Sequence, residues 1–187
     1  LLDKKGIKFI FLGRLNIDKG INDLIEIIPK HLSIFIEDEF MIIGPNENQI
    51  LYSELIKLKA KWPNNIKLKG FTRCPEKYLK ESDILLLPSK REGFGNIIIE
   101  AASCGVPTIA YEIYGIKNAI KNKITGLLAE PYNITNFANL MKECSLDKAR
   151  ILDLSKNAYS FSKKFSNLNR TRVFIDAIKT NTHLKNL

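Results

Sequence analysis

Metal-binding and disulfide-forming residues are scarce in this chain. Its 187 residues include 3 cysteines and 2 histidines. Cys74, Cys104 and Cys144 are odd in number, widely spaced and without a CxxC pair. That pattern argues against a disulfide frame or a zinc site and fits reduced thiols in a cytosolic protein. His31 and His183 stand too far apart in sequence to seed a metal cluster. No apolar run approaches the roughly 20 residues needed to cross a bilayer. The opening LLDKKGIKFIFLG reads as a charged lead and a strand rather than a secretory signal, so a cytoplasmic location is expected. Without a secretory context, Asn133-Ile134-Thr135 is a chance sequon. The GxGxxG dinucleotide fingerprint and the GxxxxGK[ST] phosphate loop are both missing. No segment is low in complexity, repeated or linker-like.

What is present suits one α/β domain. At 45% hydrophobic, 187 residues can bury one good core, so residues 1–187 are read as a single domain. Opening on Leu1 rather than methionine, the chain is expected to be a piece of something longer. Its 29 Lys+Arg exceed 20 Asp+Glu for a net charge of +9, which favours anionic partners such as nucleotides, nucleic acid or anionic lipid. Nucleic acid is the weakest of these, since no recognised motif or basic-aromatic interleaving occurs. Scattered lysines on a solvated surface are the alternative.

Hydrophobic periodicity alternates strands with helices. Lys8–Gly13 is a strand, and Ile21, Leu24, Ile25 and Ile28 recur at helical spacing. Phe40–Gly44 and Ile66–Phe71 are further strands around a helix over Gln49–Trp62, with Leu51, Leu55 and Leu58 inward. A short helix spans Glu76–Ser82, and a loop with a short helix follows Gly115. Thr125–Glu130 is a strand, Asn133 or Thr135 caps the next helix, and two helices over 147–163 and 167–180 close the chain. The order predicts a doubly wound, mostly parallel sheet flanked by helices, Rossmann-like in class.

The informative stretch is Asp83–Tyr111, DILLLPSKREGFGNIIIEAASCGVPTIAY. A buried strand closes at Pro88, Gly93 and Gly95 allow a tight turn, and a helix runs from Asn96 to Ala102 before the strand Val106–Tyr111. Glu92 stands at the loop mouth and Glu100 inside the helix, on the order of 10–12 Å apart along the axis. Between them the helix N-terminus offers N–H groups and partial positive charge, a seat for phosphate. A ligand with hydroxyls at both ends and phosphate between, such as a sugar nucleotide, would fit. A loop glutamate and a helix glutamate with no ligand is the alternative. After the first strand, Arg14 and Lys19 occupy one strand-to-helix loop at the sheet edge where open α/β folds bind ligands, and could reach one anion from two directions.

FLGRLNIDKG, SDILLLPSKREGFGNIIIEAASCGVPTIA and TGLLAEP, in that order, resemble the carboxyl-terminal domain of the group 1 (GT4-like) glycosyltransferases of GT-B architecture. The resemblance covers roughly residues 7 to 145. It implies that Arg14 and Lys19 grip the donor diphosphate and that Glu92 contacts hydroxyls of the transferred sugar. It implies too that the backbone of Phe94, Gly95 and Asn96 lies against sugar and distal phosphate, and that Glu100 holds the ribose. Thr72 and Arg73 match the loop that meets the base. Members of the family generally need no metal, in keeping with the missing Asp-x-Asp pair, so no cofactor is expected. Where the family often has GGxxE, this chain has YGIKNA, and Asn118 stands near the glutamate position. The family's acceptor site lies in an amino-terminal domain that is expected to be absent from this chain.

Three functional readings result. The first is the donor-binding half of a retaining transferase moving a sugar from a UDP- or GDP-linked donor to a saccharide or lipid-linked acceptor. Bacterial surface polysaccharide or glycolipid synthesis is its expected setting, with peripheral contact at the inner membrane face; the isolated domain is expected to be inactive. The second is a stand-alone nucleotide-binding or interaction module without catalysis. The third, more remote, is a GT-B sugar phosphorylase using free phosphate.

Overall fold

The structure, a computed structural model, describes residues 5–165. The helix predicted over 167–180 and His183 lie outside the described residues.

Six strands form one sheet: β1 Lys8–Leu12, β2 Glu39–Ile43, β3 Ile66–Lys69, β4 Ile84–Leu87, β5 Thr108–Tyr111 and β6 Gly126–Ala129. Their order is β3-β2-β1-β4-β5-β6 and every pairing is parallel, as the alternation of elements predicts. Each strand is four or five residues long; β1, β2, β3 and β6 end one or two residues before the sequence reading ends them, while β4 and β5 end at Leu87 and Tyr111 as read. The helices are α1 Ile21–Leu32, α2 Gln49–Lys61, α3 Pro75–Leu79, α4 Asn96–Ser103, α5 Ile134–Leu146 and α6 Lys148–Ser162, followed by a 3-10 turn over Lys163–Phe165. α1 packs beside α2 and α5, and α4 beside α3 and α6.

Successive side chains of β1 point to opposite faces. Phe9 and Phe11 join the core that holds α1 and α5, whereas Ile10 and Leu12 join Leu79 of α3 and Ala101 of α4. Phe9 stacks on Phe40 of β2 with ring centroids 5.2 Å apart, fixing the register Phe9↔Phe40. β4 is buried at all four positions, the mark of a central strand covered on both faces.

Two expectations are modified. In α2 only Leu55 is buried; Leu51 and Leu58 are half-buried because the helix flanks the edge strand β3. After β5 the chain makes successive turns rather than a helix, with Ile116 N–H bonded to Ile113 O and Ala119 N–H to Ile116 O. Gly115 is pinned there: a Cβ on it would lie 2.0 Å from the Glu92 carbonyl oxygen. Asn133, not Thr135, caps α5 by accepting the Asn136 N–H.

Candidate functional site

The chain leaves β1 and β4 at the same edge of the sheet, and those strands are the neighbours where connectivity switches direction. In open α/β folds the crevice between two such loops is where ligands bind. Here the loops after β1 and β4 are locked together. Gly20, at φ 73, opens α1 so close to β4 that a Cβ would stand 2.0 Å from the Pro88 carbonyl oxygen. Only glycine fits both the left-handed backbone and that contact. Lys90 N–H donates to Asp18 O at 2.8 Å, and Arg91 pairs with Asp18 at 3.4 Å.

From this junction Lys19 and Glu92 face one another. Lys19 Nζ lies 2.6 Å from Glu92 Oε1, with side chains 20% and 12% exposed. The Lys19 N–H is held by Asn16 Oδ1 at 3.0 Å, so the lysine enters from a fixed turn. Beside the pair opens a cleft of about 410 Å³, lined by Arg14, Lys19, Glu92, Phe94, Gly95 and Asn96 among others. α4 begins here at Gly95 (φ 69) without a side-chain cap. A helix start left open towards a cleft is suited to an anion, because its first N–H groups lack intrahelical partners.

Arg14 is held more loosely. Its guanidinium meets Glu47 at 3.2 Å, both groups being substantially exposed, while Asn16 Nδ2 donates to the same carboxylate at 2.7 Å. Arg14 also borders a second hollow of about 410 Å³, lined by Gly44, Pro45, Phe71, Thr72 and Ile97. The two hollows share Leu12, Gly13, Arg14 and Ile97, so they form a continuous groove across the strand ends.

Of the sequence-predicted residues, Arg14, Lys19, Glu92, Phe94, Gly95 and Asn96 thus converge on the cleft, with Thr72 in the adjoining hollow. Arg73 and Glu100 line neither hollow and are exposed. Glu100 stands one helical turn past Ile97, on the same face of α4. Asn118 is exposed and also outside both hollows. Phe165 packs on Phe94 with centroids 5.7 Å apart, so the end of the described chain touches the cleft loop. Sequence reasoning missed Glu47 and Asn16, whose only signal is a polar cluster in neighbouring loops, and did not foresee that Lys19 and Glu92 meet directly.

Another hollow, of about 260 Å³, lies between α1 and α5 and contains none of these groups. Among the described residues no cluster of three or more His, Cys, Asp or Glu could hold a metal ion, and no helix is long and apolar enough to cross a membrane.

The family model described as "Glycosyl transferases group 1" matches residues 1–161. An uncharacterised glycosyltransferase of Methanocaldococcus jannaschii is 30% identical over 162 residues, covering 84% of this chain and 43% of that protein. A phosphatidylinositol N-acetylglucosaminyltransferase subunit of Saccharomyces cerevisiae is 28% identical, over 85% of this chain and 35% of its own length. The crystal structure of Anabaena HepE in complex with UDP and glucose superposes with a TM-score of 0.81 at 20% identity, covering 94% of this chain and 49% of that one. The chain therefore spans less than half the length of these relatives, and its sheet and helices are those of a GT-B half.

Proposed function

The chain belongs to the group 1 glycosyl transferases, and from that premise we propose that it is the donor-binding half of a retaining sugar transferase of the GT4 kind. The observation that carries this reading is the meeting of Lys19 and Glu92 at 2.6 Å beside the uncapped start of α4. A diphosphate seated between Arg14, Lys19 and the α4 N-terminus places the transferred sugar against Glu92. As the sugar departs, negative charge grows on the diphosphate, and fixed cations stabilise it more in the transition state than before it. Removing one such donor costs roughly 2.7–4 kcal/mol of barrier.

Glu92 acts by accepting sugar hydroxyls rather than as a nucleophile. A carboxylate beside phosphate is repelled unless its charge is compensated, and Lys19 supplies that compensation. In the same reading the leaving phosphate helps deprotonate the acceptor on the face it vacates. Phe94, Gly95 and Asn96 offer backbone to sugar and distal phosphate, Glu100 takes the ribose, and Thr72 with Arg73 borders the base. The reaction uses no metal or resident cofactor. The acceptor, a saccharide or lipid-linked sugar, binds to a partner domain, and the setting is cytoplasmic, peripheral to the membrane, in polysaccharide or glycolipid synthesis.

Isothermal titration with UDP-glucose and GDP-mannose tests the donor site; no binding of either at millimolar concentration overturns it. Arg14→Ala should weaken the nucleoside diphosphate more than the free nucleoside, and equal losses would remove its assigned role. A non-catalytic nucleotide-binding module is the second reading. The reading frame upstream of Leu1 discriminates: a second α/β domain there supports the transferase, and a start codon just before Leu1 supports the module.

A further inference from the structure

Attached to the loop that carries Glu92 is a polar cluster that the donor reading leaves unused. Asp23, in the first turn of α1, is 2% exposed. Its carboxylate accepts the Tyr111 hydroxyl at 2.8 Å and the Asn22 side-chain amide at 2.5 Å, and Lys90 Nζ approaches to 3.5 Å. Tyr111 ends β5 and is fully buried, whereas Lys90 belongs to the loop that carries Glu92 two residues later. The Lys90 carbonyl in turn accepts the Tyr132 hydroxyl at 3.3 Å.

A buried carboxylate is a poor device for stability alone, since taking two charges out of water costs several kcal/mol per ion before their attraction repays it. Its location explains more. α1, β5 and the β4–α4 loop meet at this one group, which sits where the N-terminal dipole of α1 favours negative charge. Lys90 is fixed at three points: its N–H on Asp18, its ammonium on Asp23 and its carbonyl on Tyr132. A long side chain anchored in this way holds the backbone from which Glu92 projects.

We propose that Asp23 is a positioning residue, acting through Lys90 to set the location of the Glu92 carboxylate and with it the grip on the donor sugar. The proposal rests on the donor-site reading above. Because Glu92 meets the sugar rather than the diphosphate, losing the anchor should be felt by the sugar nucleotide more than by the nucleoside diphosphate.

The test compares Lys90→Met, Lys90→Arg, Asp23→Asn and Tyr111→Phe in the 187-residue chain, titrated with UDP and UDP-glucose and with GDP and GDP-mannose. In Lys90→Met and Asp23→Asn the affinity ratio of sugar nucleotide to nucleoside diphosphate should fall about tenfold, within the range that coupled supporting residues produce. Tyr111→Phe should fall between these and the unsubstituted chain, and Lys90→Arg should retain the ratio to within about twofold. A merely structural role would lower the melting midpoint and leave the ratio unmoved. If Asp23→Asn fails to fold, Lys90→Met decides, since its side chain is 32% exposed and outside the core. A Lys90→Met ratio within twofold of the unsubstituted chain overturns the positioning role while leaving the donor reading intact. If the unsubstituted chain binds none of the four ligands, the donor reading fails and this inference fails with it.

Discussion

Replacing Lys19 by methionine separates the structural and functional parts of the Lys19–Glu92 contact. The variant keeps most of the stem's length but removes the ammonium 2.6 Å from a carboxylate only 12% exposed. Breaking a fully buried pair costs about 3–5 kcal/mol, and an exposed pair is worth about 0–1. At this intermediate burial we expect a loss of about 2 kcal/mol, a fall in melting midpoint of roughly 4–8 °C for a chain of this size. Most of that loss is the orphaned carboxylate, so adding Glu92→Gln should restore at least half of it. Donor affinity should behave differently. A hydrogen bond to a charged group is worth about 1.5–3 kcal/mol, so UDP-glucose should bind roughly ten- to a hundredfold more weakly to both the single and the double variant. Calorimetric melting and isothermal titration on the original chain, Lys19→Met, Glu92→Gln and the double variant read both quantities. Strictly additive stability losses, or a Lys19→Met chain that melts and binds like the original, would refute the reasoning.

Asp38 should be the most costly single carboxylate to remove on the opposite end of the sheet: it accepts the Ile7 N–H at 2.7 Å and Ser145 Oγ at 2.6 Å, and lies 2.7 Å from His31 Nε2. Asp38→Ala should lose about 3 kcal/mol or more in urea unfolding, whereas a loss below about 1 would show that the cluster is not a unit. Burial pushes the Cys144 thiol up from 9.0 to about 12, so a thiol reagent at pH 8 should modify exposed Cys74 rapidly and Cys144 only after denaturant. Because the folded state keeps a proton that the unfolded state releases, stability should decline as pH rises from about 9 towards about 12. Tyr111, raised by burial and then by Asp23, adds a decline of the same sign above pH 10. Unfolding midpoints measured across that range check both.

The fold was readable from periodicity because each element's pattern agrees with its neighbours. β4 is continuously apolar and buried on both faces, and the glycine-broken loop that follows is bounded by strand and helix signals. The site was readable only where its residues share a loop: Arg14 with Lys19, and Glu92 with Phe94, Gly95 and Asn96. Contacts between loops were not, since nothing local in GRLNIDKG tells that Lys19 reaches a carboxylate 73 residues away. Asp23 shows the same limit more sharply. It sits beside Leu24 on the inward side of an amphipathic helix, where sequence pattern predicts an apolar residue. Besides its neighbour Asn22, its partners are Tyr111 at the end of β5 and Lys90 in the loop after β4, so its burial becomes intelligible only in the assembled sheet. Glu47 and Asn16 likewise meet because β1 and β2 are parallel neighbours, which brings their following loops to one edge.

Among the described residues, the two cations that line the cleft and two in the loop beside it are already paired: Arg14 with Glu47, Lys19 with Glu92, Lys90 with Asp23 and Arg91 with Asp18. Despite a net charge of +9, the cleft would therefore meet the diphosphate of the proposed donor with charges that nearly balance. Affinity cannot rest on naked positive charge; it has to come from how easily each pair opens. The Arg14 pair is 54% and 38% exposed, so opening it costs little and the guanidinium can turn to the ligand. The Lys19 pair is far more covered and is better kept as a fixed dipole, its ammonium able to donate to phosphate while still touching Glu92. A fixed dipole needs no reorganisation as charge develops, which is what electrostatic catalysis requires. Within the proposed donor site, Arg14 is thus suited to capturing the diphosphate, and Lys19 to stabilising its charge once the sugar begins to leave.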